Sequence, residues 1–143
     1  MAGFTKRGGL LAAAMCWTAL AAAQPADYPS KPIRLVVPYA PGGGSDFLGR
    51  TLAEGLHARL NQTVIVQNIP GAGSVVGSQQ VAKARPDGYT LLLNHVGLST
   101  VPALYKKLNF DPLASYEFVG LFAEAPMFIL ARKEFGPKTF AEL

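Results

Sequence analysis

The sequence predicts an α/β fold built on a mostly parallel, doubly wound sheet. Short β-branched runs are each followed by a glycine-bearing loop and then by a helical segment, and the unit recurs along the chain. The balance of residues agrees, because half are hydrophobic and 15% are charged, as in a globular domain.

The first residues stand apart from that pattern. Lys6 and Arg7 precede an apolar run over residues 8–20, and Ala21, Ala22 and Ala23 supply a small-residue cleavage site. Residues 1–23 are therefore expected to be a secretory signal peptide cut after Ala23. A membrane anchor is the alternative, but the run falls short of the ~20 apolar residues that span a bilayer. Cys16, the one cysteine, lies within this segment, so a processed chain would hold no thiol, disulfide or cysteine metal ligand. An acylated Cys16 is a third reading, weakened by Met15 where a small residue is wanted.

The formal charge of +4 falls by two with the loss of Lys6 and Arg7. The remaining basic residues are scattered, with close pairs only at Lys106-Lys107 and Arg132-Lys133. This is no nucleic-acid footprint.

Residues 33–37, bounded by Pro32 and Pro38, read as a buried strand. After a loop over residues 40–44, Ser45 is placed to cap a helix in which Leu48, Leu52, Leu56 and Leu60 form one apolar stripe. The unit repeats with a strand at 63–66, a loop at 68–73 and a helix at 74–84. A third copy has a turn at 85–88, a strand at 89–93, a polar loop at 94–99 and a short helix around 103–107. A fourth strand is expected at 118–122 and an extended run at 127–130. Thr139 and Glu142 match a capping box, which announces a helix start just before Leu143 and suggests a chain cut where an element begins.

Ligands of open parallel sheets bind beyond the carboxyl ends of the strands, where the loops at 41–46, 68–73 and 94–99 converge. Gly42, Gly43 and Gly44 allow close backbone approach, and the helix start that follows offers free N–H groups to an anion. A tight turn with nothing bound explains the glycines equally well.

Residues 44–51 have the spacing of a phosphate-binding loop, but Arg50 replaces its lysine and Asp46 would face the phosphates. Gly71, Gly73 and Gly77 miss the dinucleotide fingerprint by one residue. Ser45 sits where a nucleophile elbow would place it, yet Phe47 stands where that motif needs glycine. Of the two histidines, His57 falls on the amphipathic helix, and His95, beside Asn94, can reach the cleft. No metal site or triad assembles around either. Asp46 and Asp87 are explained as helix-start and turn residues.

With these residues in view, the chain resembles the tripartite tricarboxylate transporter receptor family, also called Bug proteins. The resemblance is carried by YPSKPI at 28–33, VPYAPGGGSD at 37–46, NIPGAG at 68–73, PDGYTLL at 86–92 and PALY at 102–105. It departs from the family pattern at Ser45, Ile69 and Asn94-His95. The resemblance implies a periplasmic-binding-protein type II architecture of two α/β lobes that close on a ligand. Residues 24–126 would form the first lobe and 127–143 the start of the crossover, with the second lobe largely missing.

It further implies a periplasmic receptor, not an enzyme, that captures a small organic carboxylate and delivers it to membrane transporter subunits. No cofactor or metal is expected, and the receptor is expected to be a monomer. Pro41, Gly42, Gly43, Gly44, Ser45 and Asp46 would form the first carboxylate clamp, with Tyr39 as a pocket wall. Asn94, His95, Gly97 and Ser99, within the loop at 94–99, would form a second contact. A periplasmic sensor for a signalling partner and an exported α/β hydrolase are the rival readings. The chain alone is expected to bind weakly or not at all, with apolar surface exposed at Phe128, Ile129 and Leu130.

Overall fold

The computed structural model describes residues 27–126, 128–137 and 139–142. The expected signal peptide at 1–23, with Lys6, Arg7 and Cys16, lies outside the described residues.

Three strands, β1 (Ile33–Val37), β2 (Val64–Asn68) and β3 (Thr90–Leu92), form a parallel sheet in the order β2-β1-β3. Leu35 pairs with Val66 on one side and with Leu91 on the other. The central strand is the core, with Ile33, Leu35, Val36 and Val37 almost wholly buried. Burial on both faces is why, Arg34 apart, it reads as an apolar run.

Helices α1 (Gly44–Leu60) and α2 (Val75–Ala82) cover opposite faces. The α1 face is that of Val37, Val66 and Leu93, all within 4 Å of a Cβ placed at Gly49. The α2 face is that of Pro38, whose Cβ would lie 2.8 Å from a Cβ at Gly77. Glycine at these two positions lets each helix approach the sheet closely. The doubly wound α/β expectation is therefore met.

The details differ in several places. In α1 the four leucines are only half-buried, while Asp46, Gly49 and Ala53 are the buried residues. Close packing at Gly49 turns the small-residue side of the helix, rather than the leucine stripe, most directly onto β1. Ser45 is not the cap. Gly43 takes that position without a side-chain bond, and Asn61, left-handed at φ 48°, ends the helix by donating its N–H to the His57 carbonyl at 2.9 Å.

The third helix, α3, spans Gly97–Leu104 rather than 103–107. In its first turn the hydroxyls of Ser99 and Thr100 donate to the carbonyls of Val96 and Gly97 at 2.8 and 3.0 Å. The loop expected at 94–99 thus shortens to residues 94–96, and Gly97 and Ser99 lie on a helix. The expected strand at 118–122 does not form. No ladder receives it, and Phe118 and Val119 are 65% and 89% exposed. Phe128, Ile129 and Leu130 are exposed as expected. The capping-box segment forms a single 3-10 turn, Phe140–Glu142. No described helix is long and apolar enough to cross a membrane.

Candidate functional site

The chain leaves β1 for β2 on one side and returns past β1 to β3 on the other, so the winding reverses between β1 and β3. In folds of this kind ligands bind beyond the carboxyl ends of the strands at such a reversal point. Tyr39 follows β1 to this point, and Asn94 and His95 follow β3.

Asn94 organises the cluster. Its Oδ1 accepts the Tyr39 hydroxyl at 2.8 Å and the His95 amide at 2.8 Å. Its Nδ2 donates to Ser78 Oγ at 3.0 Å and to Ser74 Oγ at 3.4 Å. The two serines lie four apart, at the start and middle of α2, so they present one face to the amide. Tyr39 stacks on His95 with ring centroids 4.4 Å apart and planes 9° apart. Burial pushes the Tyr39 phenol above its ordinary value, with the Ser74 hydroxyl partly opposing the shift. From the other side, Asn68 Nδ2 donates to the Tyr39 carbonyl at 3.2 Å.

Ser74 and Ser78 are the residues that sequence reasoning missed. Ser78 is fully buried and Ser74 is 1% exposed. Their i, i+4 spacing after a glycine loop was the available signal. The loop itself is unusual, because Gly71, Ala72, Gly73 and Ser74 all have positive φ. For Ala72 and Ser74 that conformation costs about 1–3 kcal/mol each, and the hydrogen bond from Asn94 helps hold Ser74 in place.

The glycine loop lies beside this cluster. Pro41, Gly42, Gly43 and Gly44 are exposed and Gly42 has φ 83°, which favours glycine. Asp46 is 5% exposed, and its Oδ2 accepts the Gly42 N–H at 2.9 Å and Arg50 Nε at 3.1 Å. The Gly42 amide, expected to face a ligand, is thus engaged by the chain's own carboxylate. The Gly42 N–H and then the Arg50 guanidinium hold the Asp46 carboxyl below the usual carboxylate range. Among the described residues, the amides of Gly43, Gly44 and Ser45 donate to no protein acceptor.

The structure therefore brings Tyr39, Asn94, His95 and Gly97 into one hydrogen-bonded cluster, places Pro41, Gly42, Gly43, Gly44 and Ser45 at the start of α1, and leaves Ser99 exposed on α3. Asp46 acts as a structural anchor of the loop. His57 lies apart, with Nδ1 2.9 Å from the Gln62 carbonyl. Asp87 holds its turn, accepting the Tyr89 N–H at 3.0 Å and pairing with Lys31 at 3.1 Å. No cluster of metal-ligating side chains occurs among the described residues.

A family model described as a tripartite tricarboxylate transporter family receptor matches residues 48–143. The chain belongs to that family. The match begins within α1, just past the glycine loop, and takes in β2, β3, α2 and α3.

Among curated relatives of this receptor, a UPF0065 protein from the TAR-I ttuE-ttuC' intergenic region of Agrobacterium vitis is 48% identical over 117 residues, or 82% of this chain and 34% of that protein. The receptor chain thus spans about a third of the length of such relatives. Among solved structures, the periplasmic binding protein BugD is 49% identical with a TM-score of 0.60, covering 62% of this chain and 29% of that one. MatC from Rhodopseudomonas palustris, with bound malate, is 35% identical with a TM-score of 0.71, covering 80% of this chain and 40% of that one.

Proposed function

We propose that this receptor works in the periplasm after loss of residues 1–23, and captures a small organic carboxylate in the crevice between the loop at 41–45 and the Tyr39, Asn94 and His95 cluster. Acting as a monomer, it delivers that ligand to membrane transporter subunits and performs no chemistry on it.

The observation that carries this reading is the set of uncommitted amides on Gly43, Gly44 and Ser45 at the start of a 17-residue helix. Such donors favour negative charge, each charge-assisted hydrogen bond contributing about 1.5–3 kcal/mol. Asp46 does not cancel the effect, because Arg50 balances its charge and Gly42 turns its Oδ2 into the loop. The malate held by MatC supports the same ligand class.

Amide NMR spectra of the chain titrated with millimolar succinate test the reading. Succinate is expected to shift Gly43, Gly44 and Ser45, and succinamide, its uncharged analogue, to leave them unmoved. Equal responses to the two compounds, or none to either, would sink the carboxylate assignment.

A further inference from the structure

We infer that His95 is a specificity-determining residue of this crevice, locked as the neutral tautomer that carries its proton on Nε2 and so presents a single N–H donor to an acceptor oxygen of the ligand. This rests on the reading of the crevice as a carboxylate site.

The tautomer follows from what surrounds the ring. The Gly97 amide, the first N–H of α3, donates to His95 Nδ1 at 3.2 Å. A backbone N–H can only donate, so Nδ1 must be bare and the ring proton must lie on Nε2. The Tyr39 hydroxyl is 3.5 Å from the same Nδ1 but is already committed to Asn94 Oδ1 at 2.8 Å. That leaves Gly97 as the partner that fixes the nitrogen. The orientation of Asn94 is fixed in turn, because its oxygen meets two donors and its nitrogen meets two hydroxyls.

The ring has little freedom to rotate. Tyr39 covers one face at 4.4 Å, and the His95 main chain is pinned through its own amide to Asn94. Nε2 has no partner among the described residues, and the residue is exposed. A donor fixed in this way discriminates by geometry, since an unpaired acceptor on a bound ligand is costly.

The second histidine provides an internal control. His57 Nδ1 lies 2.9 Å from the Gln62 carbonyl, which can only accept, so this ring carries its proton on Nδ1. The chain's two histidines are thereby assigned opposite tautomers.

Long-range proton–nitrogen correlation spectra of the whole chain, labelled at histidine with nitrogen-15 and recorded above neutral pH, test this directly, with His57→Gln to assign the signals. One ring is expected in each tautomer, with His95 protonated at Nε2, and millimolar succinate is expected to move the His95 Nε2 signal and leave His57 in place. A His95 proton on Nδ1, or an even mixture of tautomers, overturns the lock. A correct tautomer whose Nε2 does not respond while Gly43, Gly44 and Ser45 do overturns the recognition role and spares the carboxylate reading. Silence at all four residues overturns both.

Discussion

The hydroxyl of Tyr39 occupies the space a side chain would need at Gly97, where a Cβ would lie only 2.6 Å from that oxygen. A single hydrogen at position 97 thus allows the tyrosine to reach Asn94 and the first turn of α3 to reach His95.

Gly97→Ala is therefore expected to destabilise the fold, because overpacking of this kind costs about 1–3 kcal/mol and exceeds the modest helix gain at a first-turn position. Gly55→Ala is the contrasting change. Nothing lies within 4 Å of a Cβ at Gly55, which is exposed in α1, so the substitution is expected to stabilise by about 0.5–1 kcal/mol. Urea unfolding of both variants would check the opposite signs, and a stable Gly97→Ala protein would show that Tyr39 can move aside freely.

Asp46 is expected to make the glycine loop sensitive to acid. Its carboxyl titrates below the ordinary 3.8 because the folded state bonds the charged form through Gly42 and Arg50. The stabilisation is present above the unfolded value and is lost as pH falls through the lower folded one. Asp87 and Asp111 are shifted in the same direction, so Asp46→Asn should remove only part of the acid slope. Denaturant midpoints from neutral pH down to about pH 2 would reveal it, spanning the ordinary carboxylate range. An unchanged slope in the variant would mean the Asp46 bonds contribute nothing.

Much of this fold was legible because hydrophobic pattern and turn chemistry agreed. Ile33 to Val37 read as a buried strand, though not as the central one, and Gly42, Gly43, Gly44, Gly71 and Gly73 marked the loops beyond the strand ends. The region after Ser115 was misread because Phe118 to Phe122 has strand composition, while a strand also needs a partner ladder, which composition does not reveal. The start of α3 was misplaced because Ser99, Thr100 and Pro102 suggest a loop, whereas the two hydroxyls fold back onto Val96 and Gly97 carbonyls. In the site, His95 and Asn94 could be named from their loop position. Their support could not, since Ser74 and Ser78 meet Asn94 only through tertiary packing.

That support yields a third expectation. Ser78→Ala removes the shorter of the two bonds to Asn94 Nδ2, leaving a part-buried donor with one weak partner at 3.4 Å. A loss of about 1–3 kcal/mol is expected, with broadened His95 signals as the amide gains freedom. Ser99→Ala, which removes an exposed hydroxyl from α3, should stay within about 0.5 kcal/mol. Equal effects from the two serines would show that the Asn94 network carries no particular weight.

Tyr116 predicts an alkaline weakness. Its hydroxyl donates to the Ser78 carbonyl at 2.8 Å, and burial pushes the phenol up to about 12. The native state therefore holds the proton at a pH where the unfolded phenol, near 10, has released it. Stability from this group is complete below about pH 10 and declines as pH rises toward the folded value. Tyr39 is shifted in the same direction and Tyr89 in the opposite one, so Tyr116→Phe should flatten the decline without abolishing it. At neutral pH the variant is expected to lose about 0.5–1.5 kcal/mol for the missing hydrogen bond. Urea midpoints across the alkaline range, with phenolate absorbance to follow ionisation, would measure both effects. A variant as sensitive to alkali as the parent would place the titrating group elsewhere.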